Sequence, residues 1–110
     1  MSHPHLPAIS EKEFQAQVIE FAHHHGWNIA HFRPARTAKG WRTAVSADGN
    51  GFPDLVLLRD RIIYAELKSE KGILWGHQDL WRKWIVGGGG EWYCWRPGDW
   101  KDIERILGKE

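Results

Sequence analysis

Apolar positions along this chain follow two periods, and the changes between them mark its elements. Phe14, Val18, Phe21 and Ala22 recur at helical spacing and predict an amphipathic helix from about Glu11 to His25, stopped at Gly26. Ser10-Glu11-Lys12-Glu13 supplies a capping box, in which Ser10 caps the third backbone N–H and Glu13 reaches back to the Ser10 amide. Trp27 to Phe32 reads as a first strand, closed by Arg33-Pro34. Leu55 to Leu58 and Ile62 to Lys68, separated by Arg59-Asp60-Arg61, read as a β-hairpin, and Glu91 to Trp95 alternates as a further strand. A helix is predicted over Gly76 to Val86, with Gln78, Trp81 and Ile85 on one face and Trp84 beside them. Asp99 caps a last helix with the stripe Trp100, Ile103, Ile106 and Leu107. The order α-β-β-β-α-β-α predicts an α/β (α+β) class, a mixed sheet with flanking helices.

Two stretches lack a period. Met1 to Ile9 holds two prolines and two histidines and reads as a loose arm ahead of a single domain over residues 10–110. Ala35 to Gly51 is polar, with Gly40, Gly49 and Gly51, and reads as a loop long enough to expect a function of it. Between Asn28 and Asn50 the chain sets Arg33, Arg36, Lys39 and Arg42 against Asp48 alone. Clustered around Trp41, these cations suit contacts to DNA phosphates, although solubilising charge takes the same form. The run Gly87 to Gly90 reads as a turn or a hinge.

Composition narrows the field. A chain of 110 residues has room for one core, and its net charge of +1 means that any affinity for nucleic acid comes from local patches. The lone Cys94 excludes an internal disulfide and a cysteine-built zinc site, which suits a reducing cytoplasm. No apolar run approaches the roughly 20 residues of a membrane span, and Met1 to Ile9 has no signal-peptide pattern, so no membrane partner is expected. The eight tryptophans are expected to fill the core, with base stacking as their other use. His23-His24-His25 cannot all face one ion and reads as a solvated helix end. His77 lies nearer the candidate chemistry.

That chemistry sits on the hairpin. Ile62, Tyr64, Glu66 and Lys68 share one face of a strand, and Ile63, Ala65 and Leu67 share the other. Apolar residues on both faces predict burial on both sides, with Glu66 and Lys68 at the strand end beside a cleft. Pro53-Asp54 opens the neighbouring strand. Buried charges are costly unless something pairs with them, and a divalent cation with a phosphate would do so. Asp54 and Glu66 can share a Mg²⁺ ion, with the backbone carbonyl of Leu67 as a third oxygen. Lys68, on the face of Glu66, can meet the attacking water or the phosphate. At about 100° per residue, Glu11 projects between Val18 and Ala22 while Glu13 and Glu20 point away, so it offers a further acid. Taken alone, Glu66 and Lys68 also describe a sheet-edge ion pair, and Pro53-Asp54 a turn.

Gly51-Phe52-Pro53-Asp54-Leu55-Val56, then Ala65-Glu66-Leu67-Lys68-Ser69, then Gln78, resembles the VRR-NUC family of the PD-(D/E)xK nuclease superfamily. Glu11-x-x-x-Gln15 and Trp95-Arg96-Pro97 also resemble its stand-alone, largely phage and bacterial members. A bare D…E-x-K is common by chance; the ordered set, running from Ser10 to Leu107, is far more specific. The resemblance implies a restriction-endonuclease-like fold and a Mg²⁺- or Mn²⁺-dependent DNA endonuclease. In it Asp54 and Glu66 match the metal-binding acids, Lys68 the catalytic lysine, Glu11 the helix-borne glutamate, and Gln78 the glutamine of the following helix. It also implies a homodimer that cuts branched DNA such as four-way (Holliday) junctions. The Ala35 to Asn50 insertion and the glycine run depart from the family pattern. The alternative is a non-catalytic nucleic-acid-binding module that retains the fold, although such a module gains nothing from desolvated carboxylates beside DNA phosphates.

Overall fold

Ser10 starts the first helix through its side chain: its Oγ accepts the Glu13 N–H at 3.1 Å, and α1 runs Glu11–His24. Glu13 returns the contact through its carboxylate, which accepts the Ser10 hydroxyl at 2.9 Å. The computed structural model describes residues 9–32 and 46–108, and the backbone alone of 35–37 and 40–42. Residues 1–8 of the expected arm lie outside the described residues.

Among the described residues, six strands and two more helices follow: β1 Asn28–His31, β2 Ala35–Thr37, β3 Gly40–Arg42, β4 Leu55–Leu58, β5 Ile62–Leu67, α2 Gly76–Gly87, β6 Glu91–Trp95 and, after a 3-10 turn at Pro97–Asp99, α3 Trp100–Leu107. The main sheet has the order β1-β4-β5-β6. The first three are antiparallel neighbours, with Leu58 opposite Ile62 across the Arg59-Asp60-Arg61 loop. β6 runs parallel to β5, and a parallel neighbour needs a crossover, which α2 supplies. The α/β mixed sheet with flanking helices and its order α-β-β-β-α-β-α therefore hold for the four-stranded sheet.

The stretch read as a loop contains the hairpin β2–β3, with Arg36 opposite Trp41. Two three-residue strands are too short to show a period among glycines and cations. And β5 is not buried evenly on both sides. Ile63, Ala65 and Leu67 are fully buried, whereas the other face grades from Ile62, 47% exposed, through half-buried Tyr64 to Glu66 at 2% and Lys68 at 8%. The core, with Phe14, Val18 and Ala22 of α1 and Ile103 and Leu107 of α3, lies on the first face, while α2 reaches the second at its Glu66 end. Each large apolar side chain sealed in this core stabilises the fold by about 1.5–3 kcal/mol.

The hairpin tip ties the ends of two helices to the sheet. Trp27 Nε1 donates to the Leu107 carbonyl at 2.9 Å, and the Arg59 guanidinium lies 4.4 Å above the Trp27 ring. Arg59 also donates to the carbonyls of His25 and Leu107, and Arg61 to that of Ile106 and, at 2.8 Å, to Glu91. These carbonyls are the acceptors that helix ends leave unsatisfied. Among the described tryptophans only Trp27 and Trp95 are fully buried, so core filling accounts for those two and not for Trp75 or Trp84, 46% and 51% exposed.

Candidate active site

The other end of the hairpin gathers the acids. Phe32 N–H donates to the Asp54 carbonyl at 2.9 Å, which extends the β1–β4 pairing by one rung and fixes the backbone of Asp54. Its Oδ2 then accepts the Leu67 N–H at 2.8 Å, so the side chain lies across the end of β5. Glu66 Oε2 accepts from Gln78 Nε2 at 2.8 Å and stands 3.6 Å from Lys68 Nζ. Asp54 and Glu66 lie close enough that each carboxyl group perturbs the ionisation of the other.

Gln78 is set by the first turn of α2. Its Oε1 accepts the Trp75 N–H at 3.2 Å while its Nε2 serves Glu66, so both ends of the amide are engaged. Gly51 lets this turn come close. It has φ +83°, and a Cβ there would stand 2.6 Å from His77 backbone and side-chain carbon and 2.8 Å from Gln78 N. The segment that leads into Asp54 thus lies directly on the residue that holds Glu66. Asn50 bonds the His77 ring, and Trp81 Nε1 bonds the carbonyls of Asp48 and Asn50, which secures the same junction.

The electrostatics are those of crowded like charges. Burial, and then the charge of Asp54, push Glu66 up from the ordinary carboxylate value to about 8. Burial also raises Asp54, against the Leu67 amide, the bond to Glu66, Lys68 and His31, all of which favour its charged form. Glu11 is raised by burial and by Asp54, with Lys68 and a hydrogen bond from the Ser69 amide acting the other way. Three carboxyl groups therefore share one ammonium.

Of the residues singled out in the sequence, Glu11, Asp54, Glu66, Lys68 and Gln78 come together. Leu67 contributes its backbone here, while its side chain is in the core. The side chains of Arg33, Arg36, Lys39 and Arg42 lie outside the described residues. Sequence reasoning missed His31, whose charge favours ionised Asp54. The pairing of β1 with β4 places it opposite Leu55, and two strand ends of matched polarity in the sequence could have pointed to it. Cys94 lies opposite Glu66 on β6, and burial raises its thiol, which keeps it protonated. His23 and His24 are exposed on the last turn of α1, as expected of a solvated helix end.

No protein-family model matches the chain, and no curated protein matches it.

The donor set fits a hard divalent cation. Two neighbouring carboxyl groups, one buried and one half-buried, offer an excess of acceptor oxygens, and a cation relieves their repulsion. Among the described residues no three His, Cys, Asp or Glu side chains are grouped as a ready cage. Magnesium commonly binds through one or two carboxylates and keeps several waters. Asp54, Glu66 and the Leu67 carbonyl are the groups that would hold it, with Glu11 within electrostatic reach.

Proposed function

We propose that this protein is a Mg²⁺- or Mn²⁺-dependent endodeoxyribonuclease that hydrolyses phosphodiester bonds in branched DNA such as four-way junctions. The observation that carries the hydrolytic part is the meeting of half-buried Asp54 with buried Glu66 at the strand ends, with buried Lys68 Nζ 3.6 Å from Glu66. Such a group destabilises a fold that has no use for it, and it supplies what phosphodiester hydrolysis needs. A bound divalent ion would neutralise phosphate charge and make a water more acidic. The chain's own residues do the rest. The Leu67 amide and Gln78 hold the two carboxylates, so that their oxygens are placed before substrate arrives. Lys68 meets the phosphate oxygen on which negative charge develops, or the attacking water. Glu11 adds acidity from the helix side.

The choice of DNA, the branched substrate and a homodimer rest on the resemblance to the VRR-NUC family. A two-fold dimer would set two sites on one junction and cut strands in pairs. A cytoplasmic location is part of the same proposal; among the described residues no helix is long and apolar enough to cross a membrane.

The test is incubation with labelled four-way junction, flap and linear duplex, with and without Mg²⁺. Metal-dependent cleavage that favours the branched substrates is expected. Binding without cleavage under any metal would favour the non-catalytic module, and equal cleavage of all three would remove the structure selectivity.

A further inference from the structure

Four aromatic rings form an unbroken row beside the carboxyl pair. Phe32 meets Phe52 at 5.6 Å, Phe52 meets Trp81 at 5.0 Å, and Trp81 meets Trp84 at 5.1 Å, each pair nearly perpendicular. Tyr64 joins at Phe52, 6.1 Å away. The row is attached to the site by chain and by strand. Phe52 stands two residues before Asp54, Tyr64 two residues before Glu66 on the same strand face, and Trp81 one helical turn beyond Gln78. Its ends are open, with Phe32 47% and Trp84 51% exposed. Its middle is fixed, because the Trp81 indole N–H is held by the carbonyls of Asp48 and Asn50. Core packing does not explain it: none of these rings belongs to the buried core, and α2 buries no residue completely.

We infer that this row is a stacking subsite for unpaired nucleobases of the strand whose phosphate lies at Asp54 and Glu66, an assignment that rests on the phosphodiesterase reading. The phosphate of a nucleotide is charged and is met by Lys68. The base is its one flat, uncharged part, and the open ends of the row, Phe32 and Trp84, each present an uncharged ring on which a base can stack. Stacking of this kind is tolerant of sequence, since every base has a π-face. In an intact duplex the bases stack on one another and are withheld from such a surface. The row therefore selects substrates with an unpaired nucleotide next to the scissile phosphate.

Binding in a chelator separates this subsite from catalysis. Anisotropy titrations use a labelled single strand, the same strand with one internal abasic position, and a duplex of equal length. The wild type should prefer the intact single strand. Trp84→Leu and Phe32→Leu, which keep apolar bulk and remove the indole or phenyl face, should each weaken single-strand binding about tenfold and leave duplex binding unchanged. Trp84→Phe should bind nearly as the wild type, and the abasic strand should lose affinity for the wild type but not further for Trp84→Leu. Equal wild-type affinity for single strand and duplex, or leucine variants that bind the single strand normally, would overturn the subsite. So would leucine variants that halve the sedimenting mass without changing affinity per chain, which would assign the row to a second copy of this chain. Cleavage is scored separately with Mg²⁺. Stacking without any cleavage refutes the nuclease and keeps the subsite; cleavage with unaltered binding by the leucine variants does the reverse.

Discussion

The two ends of the β4–β5 hairpin handle charge in opposite ways. At the tip, Arg59 holds the Asp60 carboxyl below its usual range, and Glu91 raises the Arg61 guanidinium, so acids and bases stabilise one another. At the far end Asp54, Glu66 and Glu11 are all raised, and burial is the leading cause for each. At the tip acids and bases are paired; at the far end acids crowd around buried Glu66 and are in conflict. The same hairpin thus shows what a fold does with charge for stability alone, and how different an arrangement is when acids are held together against their own repulsion. Strongly perturbed carboxylates held together in this way mark a candidate functional site.

The comparison can be broken from either side. The largest expected effect is beneath the tip, where Arg59 covers the Trp27 ring: Trp27→Ala empties a buried indole site and removes the bond to Leu107, and should cost about 3–5 kcal/mol in chemical denaturation. Next is Gly51→Ala, which forces a side chain into a positive φ and against the first turn of α2. It should cost about 1–3 kcal/mol and also disturb Gln78, so that activity falls more than stability alone explains. At the far end the sign reverses. Folded Glu66 keeps its proton up to about pH 8, whereas the unfolded chain releases it near 4.5. The folded chain therefore binds the extra proton in that window, and stability should fall as pH rises from about 4.5 to about 8. Glu66→Gln should flatten that slope in melting curves recorded without metal. At the alkaline end it should gain roughly 1–2 kcal/mol while losing activity. The smallest effect belongs to Asp60→Asn, an exposed pairing whose loss should leave the melting temperature unchanged. A stabilising effect of Asp60→Asn, or a destabilising one of Glu66→Gln at pH 8, would invert the contrast.

Much of this was legible in the sequence because the relevant signals are local. The capping serine, the stripe Phe14, Val18 and Ala22, and the alternation of Ile63, Ala65 and Leu67 each depend on a few neighbouring residues, and each predicted its element. The gathering of Glu11, Asp54, Glu66 and Lys68 followed from helical and strand periods. What stayed hidden depends on long-range contact. The hairpin β2–β3 has strands too short for periodicity. The uneven burial of β5 reflects where the helices come to rest, which no single-strand pattern encodes. The tryptophans of α2 look like core residues by spacing, yet Trp84 is half exposed and packs on Trp81 rather than in the core. Gln78 was found by its place in an ordered motif, but that its amide is held by Trp75 on one side and gives to Glu66 on the other is visible only in three dimensions.

The most direct test of the account is cleavage of a labelled four-way junction in Mg²⁺ by wild type, Lys68→Ala and Asp60→Asn, with circular dichroism to verify the fold of each. The account predicts that Lys68→Ala retains its fold and loses at least about 100-fold in cleavage rate, while Asp60→Asn cleaves as the wild type. A folded Lys68→Ala that cleaves at the wild-type rate, or wild-type cleavage that persists in a chelator, would contradict it.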